Sequence, residues 1–234
     1  MRGILCLLAV TLLGATAAFA GPAGDRHDDA KRLEHATEVF NDIMKTPDKG
    51  IPSDLLSKAE CIAIVPGMSK GGIGIGGDYG KGVVMCRRGG NGWSAPSFIT
   101  IGGGSFGLQL GFEKVDLVML IMNHRGMERL LADKFTLGGD AAAAAGPVGR
   151  DTSAQTDVEM SAEILTYSRS KGLFGGLTLN GAVLKQDKGE NREFYGRDVT
   201  PREILMDGKV PVPESAAPLA EALSRWSPDN SKGR

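Results

Sequence analysis

Apolar positions alternate with small or polar positions in the middle of the chain. One such stretch has its apolar residues at Phe106, Leu108, Leu110 and Phe112. A period of two residues is typical of a strand that buries one face. The other face is nearly bare, because 15 of the 41 residues from 71 to 111 are glycine. Glycine inside a strand marks bulges and sharp bends, so the pattern predicts a tightly curved antiparallel sheet or partial barrel.

Other apolar runs predict further strands around this stretch. Cys61–Val65 and Gly82–Cys86 are short runs in and beside the glycine-rich stretch. Val115–Met122 is apolar on both faces, which is typical of a central strand. In the second half of the chain, strand character resumes over 162–168 and 173–185. The glycine at position 181 predicts an irregularity in the last of these runs.

Apolar residues at steps of three and four predict helices at both ends of the chain. The first helix is expected over about 28–45, ending before Pro47, and a short second helix follows with Ser53 as its cap. Later helices are expected around Met127–Leu131, over Asp187–Phe194, after Thr200–Pro201, and along Leu219, Leu223 and Trp226. The fold class is therefore predicted as α+β, with a curved sheet covered by N-terminal and C-terminal helices.

The first twenty residues have the pattern of a secretory signal peptide. Arg2 precedes an apolar run over 3–18, and Ala18-Phe19-Ala20 forms a small-x-small cleavage pattern before Gly21. An uncleaved anchor is the alternative interpretation. We expect an exported protein, periplasmic or secreted and able to lie peripherally on an envelope membrane. The predicted division of the chain is 1–20 signal peptide, 21–60 N-terminal helical segment, 61–206 glycine-rich sheet domain, and 207–234 C-terminal helix and mobile tail.

The charge distribution points to local cationic sites and not to a polyanion-binding protein. Removal of the leader leaves 26 basic against 28 acidic residues, so no nucleic-acid partner is predicted. Residues 61–112 hold four basic side chains, and Asp78 is the single acidic side chain in that range. Basic side chains beside glycine turns can hold a phosphate or another anion. The candidate binding residues are Lys70, Lys81, Arg87, Arg88, Arg169 and Lys171.

Two cysteines remain after the leader, Cys61 and Cys86, and each lies in an apolar strand-like run. In an oxidising compartment a bridge between them would close a loop of about 25 residues and stabilise the fold by roughly 3 kcal/mol. Two buried free thiols are the alternative, because a bridge needs the two strands to be neighbours.

Several enzyme signatures occur by letter but lack their context. Gly103-Gly-Ser105-Phe-Gly107 matches a nucleophile elbow, yet the residues after Ser105 alternate as a strand instead of opening a helix. A glycine fingerprint over 72–77 likewise lacks a following helix, and Ser168-Arg-Ser-Lys171 lacks its companion motifs. The three histidines are scattered, so no metal site and no cofactor are predicted.

Four blocks of sequence resemble the successive blocks of the SYLF domain. They are Ala63–Pro66, Gly76–Arg87, Gly103–Gly111 and Tyr167–Gly176. The resemblance spans about residues 30–206 and implies binding of phosphoinositides or other anionic phospholipids and, in fungal relatives, of actin. No enzymatic activity is implied.

The sequence thus predicts a non-enzymatic module that binds anionic phospholipid, with phosphatidylglycerol or cardiolipin as the headgroups of a bacterial envelope. A structural or protein-interaction module with an envelope protein partner is the alternative. A serine hydrolase using Ser105 is a third, weaker interpretation.

Overall fold

A computed structural model describes residues 23–46, 50–88, 92–148, 162–171 and 173–227, with the backbone alone for 23–27, 72–75 and 105–112. The predicted leader and the tail from residue 228 lie outside these ranges, as do the side chains of the alternating stretch at Phe106–Phe112. Its backbone is a strand, as predicted. Among the described residues, no helix has the length and apolar character needed to span a bilayer.

The helices are close to those predicted. They are α1 Ala23–Met44, α2 Ser53–Lys58, α3 His124–Leu131, α4 Lys188–Tyr195, α5 Pro201–Leu205 and α6 Ala217–Trp226, with a 3₁₀ turn at Glu214–Ala216. Asp187 caps α4 by accepting from the Glu190 N–H, and Thr200 and Glu203 form a capping box at α5. Ser53 was predicted as a cap but is the first residue of α2, because Pro52 occupies the cap position.

The described strands number seven. They are β1 Cys61–Cys86, β2 Ser97–Ile121, β3 Lys134–Thr136, β4 Ala143–Ala145, β5 Ile164–Ser170, β6 Leu173–Gly176 and β7 Val183–Gln186. The runs at Cys61 and Gly82, predicted as separate strands, belong to one long strand, since glycines let it bend without a break. The single run predicted over 173–185 is instead divided into β6 and β7, with Gly181 at a φ of 85° between them.

A long antiparallel ribbon of β1 and β2 forms the frame of the fold, with register from Cys61↔Ile121 to Val84↔Ser97. The ribbon bends so far that the two ends of β1 meet. Cys61 and Cys86 are joined in a disulfide with a Cα–Cα distance of 3.9 Å. The Arg87 N–H donates to the Glu60 carbonyl at 2.7 Å. Of the two alternatives for the cysteines, the structure has the bridge.

The rest of the sheet grows from the outer edge of β2. Residues Ile99–Gly102 of β2 pair with β7, and Asp116–Ile121 pair with β5. β3 joins β7, while β4 and β6 join β5. All these pairs are antiparallel except β4 with β5. The predicted curved α+β sheet is confirmed, and Val115–Met122 lies centrally between β1 and β5, as its apolar faces indicated.

Each face of the sheet has its own core. Alternate residues such as Ile62, Ile64 and Met85 lie under Leu33 and Phe40 of α1, in a layer that α2 and α6 complete. Their neighbours along the strands pack on the other face against α3, α5 and the β3 region, through residues that include Ala63, Ile101, Met119, Phe135 and Ile204. Helices from both ends of the chain therefore cover one face, as predicted.

Candidate functional site

A groove runs between α1 and β1, and we call it the α1–β1 groove. Leu33, Ala36 and Phe40 bury one stripe of α1 on the sheet, which places the neighbouring flank of the helix opposite β1. The central part has a volume of about 440 Å³. Its walls are Asp28, Lys31, Arg32 and His35 of α1 and Pro66, Gly67, Ser69, Tyr79, Gly80 and Lys81 of β1.

The centre of the groove is cationic. Lys31, Arg32 and Lys81 face it together with His35, against one carboxylate, Asp28. The Lys81 side chain is 42% exposed. Tyr79 is 56% exposed and adds a hydroxyl and an apolar ring. Ammonium and guanidinium groups beside hydroxyls are the donors that a phosphate group requires.

An ion-pair cluster closes the groove where α1 meets α4. Arg32 donates to the Glu190 carboxylate and lies 3.5 Å from Asp29. The Nζ atom of Lys81 is 3.4 Å from Glu190 Oε2 and 3.9 Å from Asp187 Oδ2. Asp29 is only 2% exposed. Burial and the adjacent Glu190 raise the pKa of Asp29 to about 8, so this pair of carboxyls shares a proton at neutral pH. Burial opposes ionisation of Glu190 too, but Asp29, Arg32 and Lys81 outweigh it and lower the pKa of Glu190.

Arg169 closes the other end of the groove. Its Nε and Nη2 donate to Asp116 Oδ2 at 3.1 and 2.9 Å, and its Nη1 donates to Asp42 Oδ2 at 2.9 Å. Asp116 also accepts from the Gly67 N–H at 2.9 Å. The cavity at this end, of about 370 Å³, has Lys114 on its wall. Carboxylates therefore neutralise both ends of the groove, and two cations of its centre, Arg32 and Lys81, pair with the carboxylates at the α4 end.

The structure does not bring the six sequence-predicted cations together, which corrects the predicted patch. Lys81 lies in the centre of the groove and Arg169 at its end. Lys70 is 3.9 Å from Asp78 on the bent ribbon, and Arg88 packs against Gly208. Lys171 is exposed in the turn between β5 and β6. The contribution of each of these side chains to binding stays a prediction.

Arg87 has a structural role. Its Nε donates to the Ala59 carbonyl at 2.9 Å and its Nη2 to the Leu56 carbonyl at 2.8 Å. The guanidinium also lies 4.8 Å from the ring centroid of Trp93 and donates to the Ser227 hydroxyl. These contacts hold α2 and the end of α6 on the ribbon.

The sequence analysis missed Lys31, Arg32 and His35. The first helix is acidic overall, with six Asp or Glu against three Lys or Arg over 23–44, and this excess hides the fact that the three residues share one flank. A charge count along each helical flank at steps of three and four would have found them.

The rejected enzyme signatures have no catalytic geometry in the described residues. The backbone continues as β2 through Ser105 without the strand-to-helix turn of a nucleophile elbow, and β1 continues through 72–77 without a helix. No group of three or more metal-ligating side chains occurs within the described ranges.

Comparison with known proteins decides the family. The family model for Ysc84, described as Las17-binding protein actin regulator, matches residues 102–226. The chain belongs to the Ysc84 family. This confirms the resemblance to the SYLF domain seen in the sequence, since both names denote the same family.

Similar proteins of the Ysc84 family occur in animals and fungi. The SH3 domain-containing YSC84-like protein 1 of Homo sapiens is 36% identical over 199 residues, covering 85% of this chain and 57% of that protein. Protein YSC84 of Saccharomyces cerevisiae is 36% identical over 180 residues, covering 75% of this chain and 38% of that protein. The chain thus spans little more than half the length of the animal relatives. The name of the human relative describes an SH3 domain-containing protein, and neither name is that of an enzyme.

Proposed function

We propose that this Ysc84-family protein binds anionic phospholipid without catalysis, and that the headgroup lies in the centre of the α1–β1 groove. The observation that carries the proposal is the convergence of Lys31, Arg32, His35 and Lys81 on one groove beside Tyr79. A phosphodiester would receive charge-assisted hydrogen bonds there, and the Tyr79 ring would cover the adjoining glycerol carbons.

The acidic ends of the groove favour a small anionic group over an extended polyanion. Asp29, Asp187 and Glu190 lie beyond one side of the centre, and Asp42 and Asp116 lie beyond the other. A nucleic-acid backbone passing along the groove would meet these carboxylates, whereas a single headgroup contacts the centre alone.

The test is binding to vesicles of phosphatidylcholine containing phosphatidylglycerol or cardiolipin, headgroups chosen because the leader predicts export. The double variant Lys31→Ala/Lys81→Ala should lose about tenfold or more in affinity, since each lysine near an anionic surface contributes on the order of 1 kcal/mol. Binding should weaken as salt rises from about 0.05 to about 0.5 M. We expect no binding to phosphatidylcholine alone.

The matched control is Lys134→Ala/Lys185→Ala, which removes the same charge from exposed positions on β3 and β7. This control should change the affinity less than twofold. Equal losses in the two double variants would assign the binding to net charge and remove the groove from the proposal. Unchanged binding in the groove variant would remove it as well.

A protein-binding role is the second candidate, and family membership favours it, because the family description names a Las17-binding actin regulator. Sedimentation with actin filaments, with and without vesicles, separates the two candidates. Binding to filaments that survives the groove double variant would support a protein-interaction module. Binding to vesicles alone would support the lipid proposal.

A further inference from the structure

The turn between β5 and β6 carries a large apolar side chain in water. Ser170 pairs with Leu173 at the end of the hairpin, and Lys171 is the residue of the intervening turn that the structure describes. Lys171 has a φ of 48°, the left-handed conformation typical of the tightest hairpin turns. Leu173 is 78% exposed, more than any other large hydrophobic side chain among the described residues. Both side chains of the turn therefore face solvent.

The hairpin is held firmly behind its exposed tip. Phe174 stacks on the buried ring of Tyr167, with centroids 5.7 Å apart and planes 3° from parallel. Ser170 donates to the Glu113 carboxylate of β2. Arg169 is fixed by its bonds to Asp116 and Asp42. Because the residues on both sides of the turn are anchored, Leu173 projects into solvent from a supported hairpin end.

The tip is continuous with the α1–β1 groove. Arg169 closes the groove two residues before Lys171, and the exposed Lys114 lies on the wall of the same cavity. The apolar tip has Lys171 and Lys114 beside it, with the Glu113 carboxylate held by Ser170, and an apolar residue beside lysines is complementary to an anionic bilayer, whose charged headgroups surround an apolar interior. A buried pocket on another molecule would lack the charged surroundings, and a flat polar surface would lack the apolar interior.

We propose that the β5–β6 turn inserts into an anionic bilayer, with Leu173 reaching the boundary of the acyl chains and Lys171 at the level of the phosphates. The inference rests on the proposed lipid-binding function and adds the orientation of the protein on the membrane. The groove end at Arg169 then faces the headgroup layer, from which a lipid headgroup can enter.

The experiment uses tryptophan as a depth reporter in the full chain. Leu173→Trp places an indole at the tip, while the native Trp93 is buried and Trp226 of α6 is half-buried. Val212→Trp is the matched control, because Val212 is another exposed apolar residue but lies between α5 and α6. Each variant is mixed with phosphatidylglycerol vesicles whose acyl chains are brominated near the headgroup.

With vesicles added, the Leu173→Trp emission should shift to shorter wavelength and be quenched by the brominated lipid beyond the wild-type level. Val212→Trp should show no extra quenching. In parallel, Leu173→Glu should lower vesicle affinity about tenfold relative to Leu173→Ala, since it places a charge where an apolar side chain is expected to be buried. The loss that Leu173→Ala shows against the wild type comes from apolar burial and should persist in high salt, unlike the effect of the groove lysines.

The outcomes separate this inference from the proposed function. Salt-sensitive vesicle binding with no quenching of Leu173→Trp would overturn insertion and leave lipid binding by the groove intact. Equal quenching in the two tryptophan variants would overturn the specific role of the turn. Absence of any vesicle binding by the wild-type protein would overturn both.

Discussion

Two parts of the same strand use positive charge in opposite ways. Where the ends of β1 meet, the guanidinium of Arg87 donates to the carbonyls of Leu56 and Ala59 and is enclosed by the chain. We call this part the ribbon closure, formed by Cys61–Val65 and Gly82–Arg87. Six residues earlier, Lys81 extends into the α1–β1 groove, where its partners are the carboxylates Asp187 and Glu190.

The comparison shows that the type of partner distinguishes a structural cation from a candidate binding cation. A guanidinium that satisfies buried carbonyls cannot leave them without a loss of stability, because those acceptors would lose their hydrogen bonds. A half-exposed ammonium that pairs with carboxylates at more than 3 Å can exchange one anionic partner for another at little cost. We therefore expect changes in the ribbon closure to affect stability and changes in the groove to affect binding.

The largest effect is expected from removing the disulfide. Cys61→Ala/Cys86→Ala should lower the free energy of unfolding by about 3 kcal/mol, because the bridge closes 25 residues of chain at the ribbon closure. Urea denaturation of the oxidised wild type and the double variant measures the difference. A change under about 1 kcal/mol would mean that the hydrogen bonds and packing alone hold the ends of β1 together.

Gly82→Ala should be the next most damaging change, at about 2 kcal/mol. A Cβ at this position would lie 2.4 Å from the Ile64 carbonyl oxygen, so the two ends of β1 would have to separate. Gly175→Ala is the control, since its Cβ would meet nothing within 4 Å. Equal melting temperatures for the two variants would contradict the close approach of the strand ends.

Arg87→Met and Lys81→Met compare the structural cation with the candidate binding cation directly. Arg87→Met should lower stability by about 2 kcal/mol through the carbonyls it leaves without a donor. Lys81→Met should change stability by less than about 0.5 kcal/mol, because exposed ion pairs contribute little. Both variants are compared by thermal unfolding and by vesicle binding. Loss of vesicle binding in Arg87→Met at a temperature where it remains folded would place Arg87 in the binding site after all.

The most specific effect concerns pH. Burial raises the pKa of Asp29 from its ordinary 3.8 to about 8, so the folded protein holds a proton that the unfolded chain has released over this range. Stability should therefore fall as the pH rises from about 4 to about 8. Asp29→Asn should flatten this dependence and make the variant the more stable protein at pH 8. A wild-type stability that rises over the same range would contradict the assignment.

Much of the fold could be predicted because local patterns and tertiary packing agree. The spacing of Leu33, Ala36 and Phe40 predicts α1, and the doubly apolar Val115–Met122 predicts a central strand. Thr200 and Pro201 mark the start of α5 by local hydrogen bonding alone. The union of the runs at Cys61 and Gly82 into one strand was not predicted, because glycine permits both a turn and a bent strand.

The candidate site was predicted only in part. Lys81 was named for its glycine neighbours and does lie in the groove, whereas Arg87 was named by the same rule and is structural. Lys31, Arg32 and His35 lie on a helix whose net acidity masked them. The structural role of Arg87 and the groove position of Lys81 depend on partners distant in sequence, which are the Leu56 and Ala59 carbonyls for Arg87 and the α4 carboxylates for Lys81.

Most helices, the α+β class and the family follow from the amino-acid sequence alone, because periodicity, caps and ordered motif blocks are properties of neighbouring residues. Only the tertiary structure decided that β1 bends back on itself, that α1 forms one wall of a cationic groove, and that Leu173 remains in water. These depend on long-range contacts, since a bend through glycine has no preferred direction until the two ends of the strand find each other.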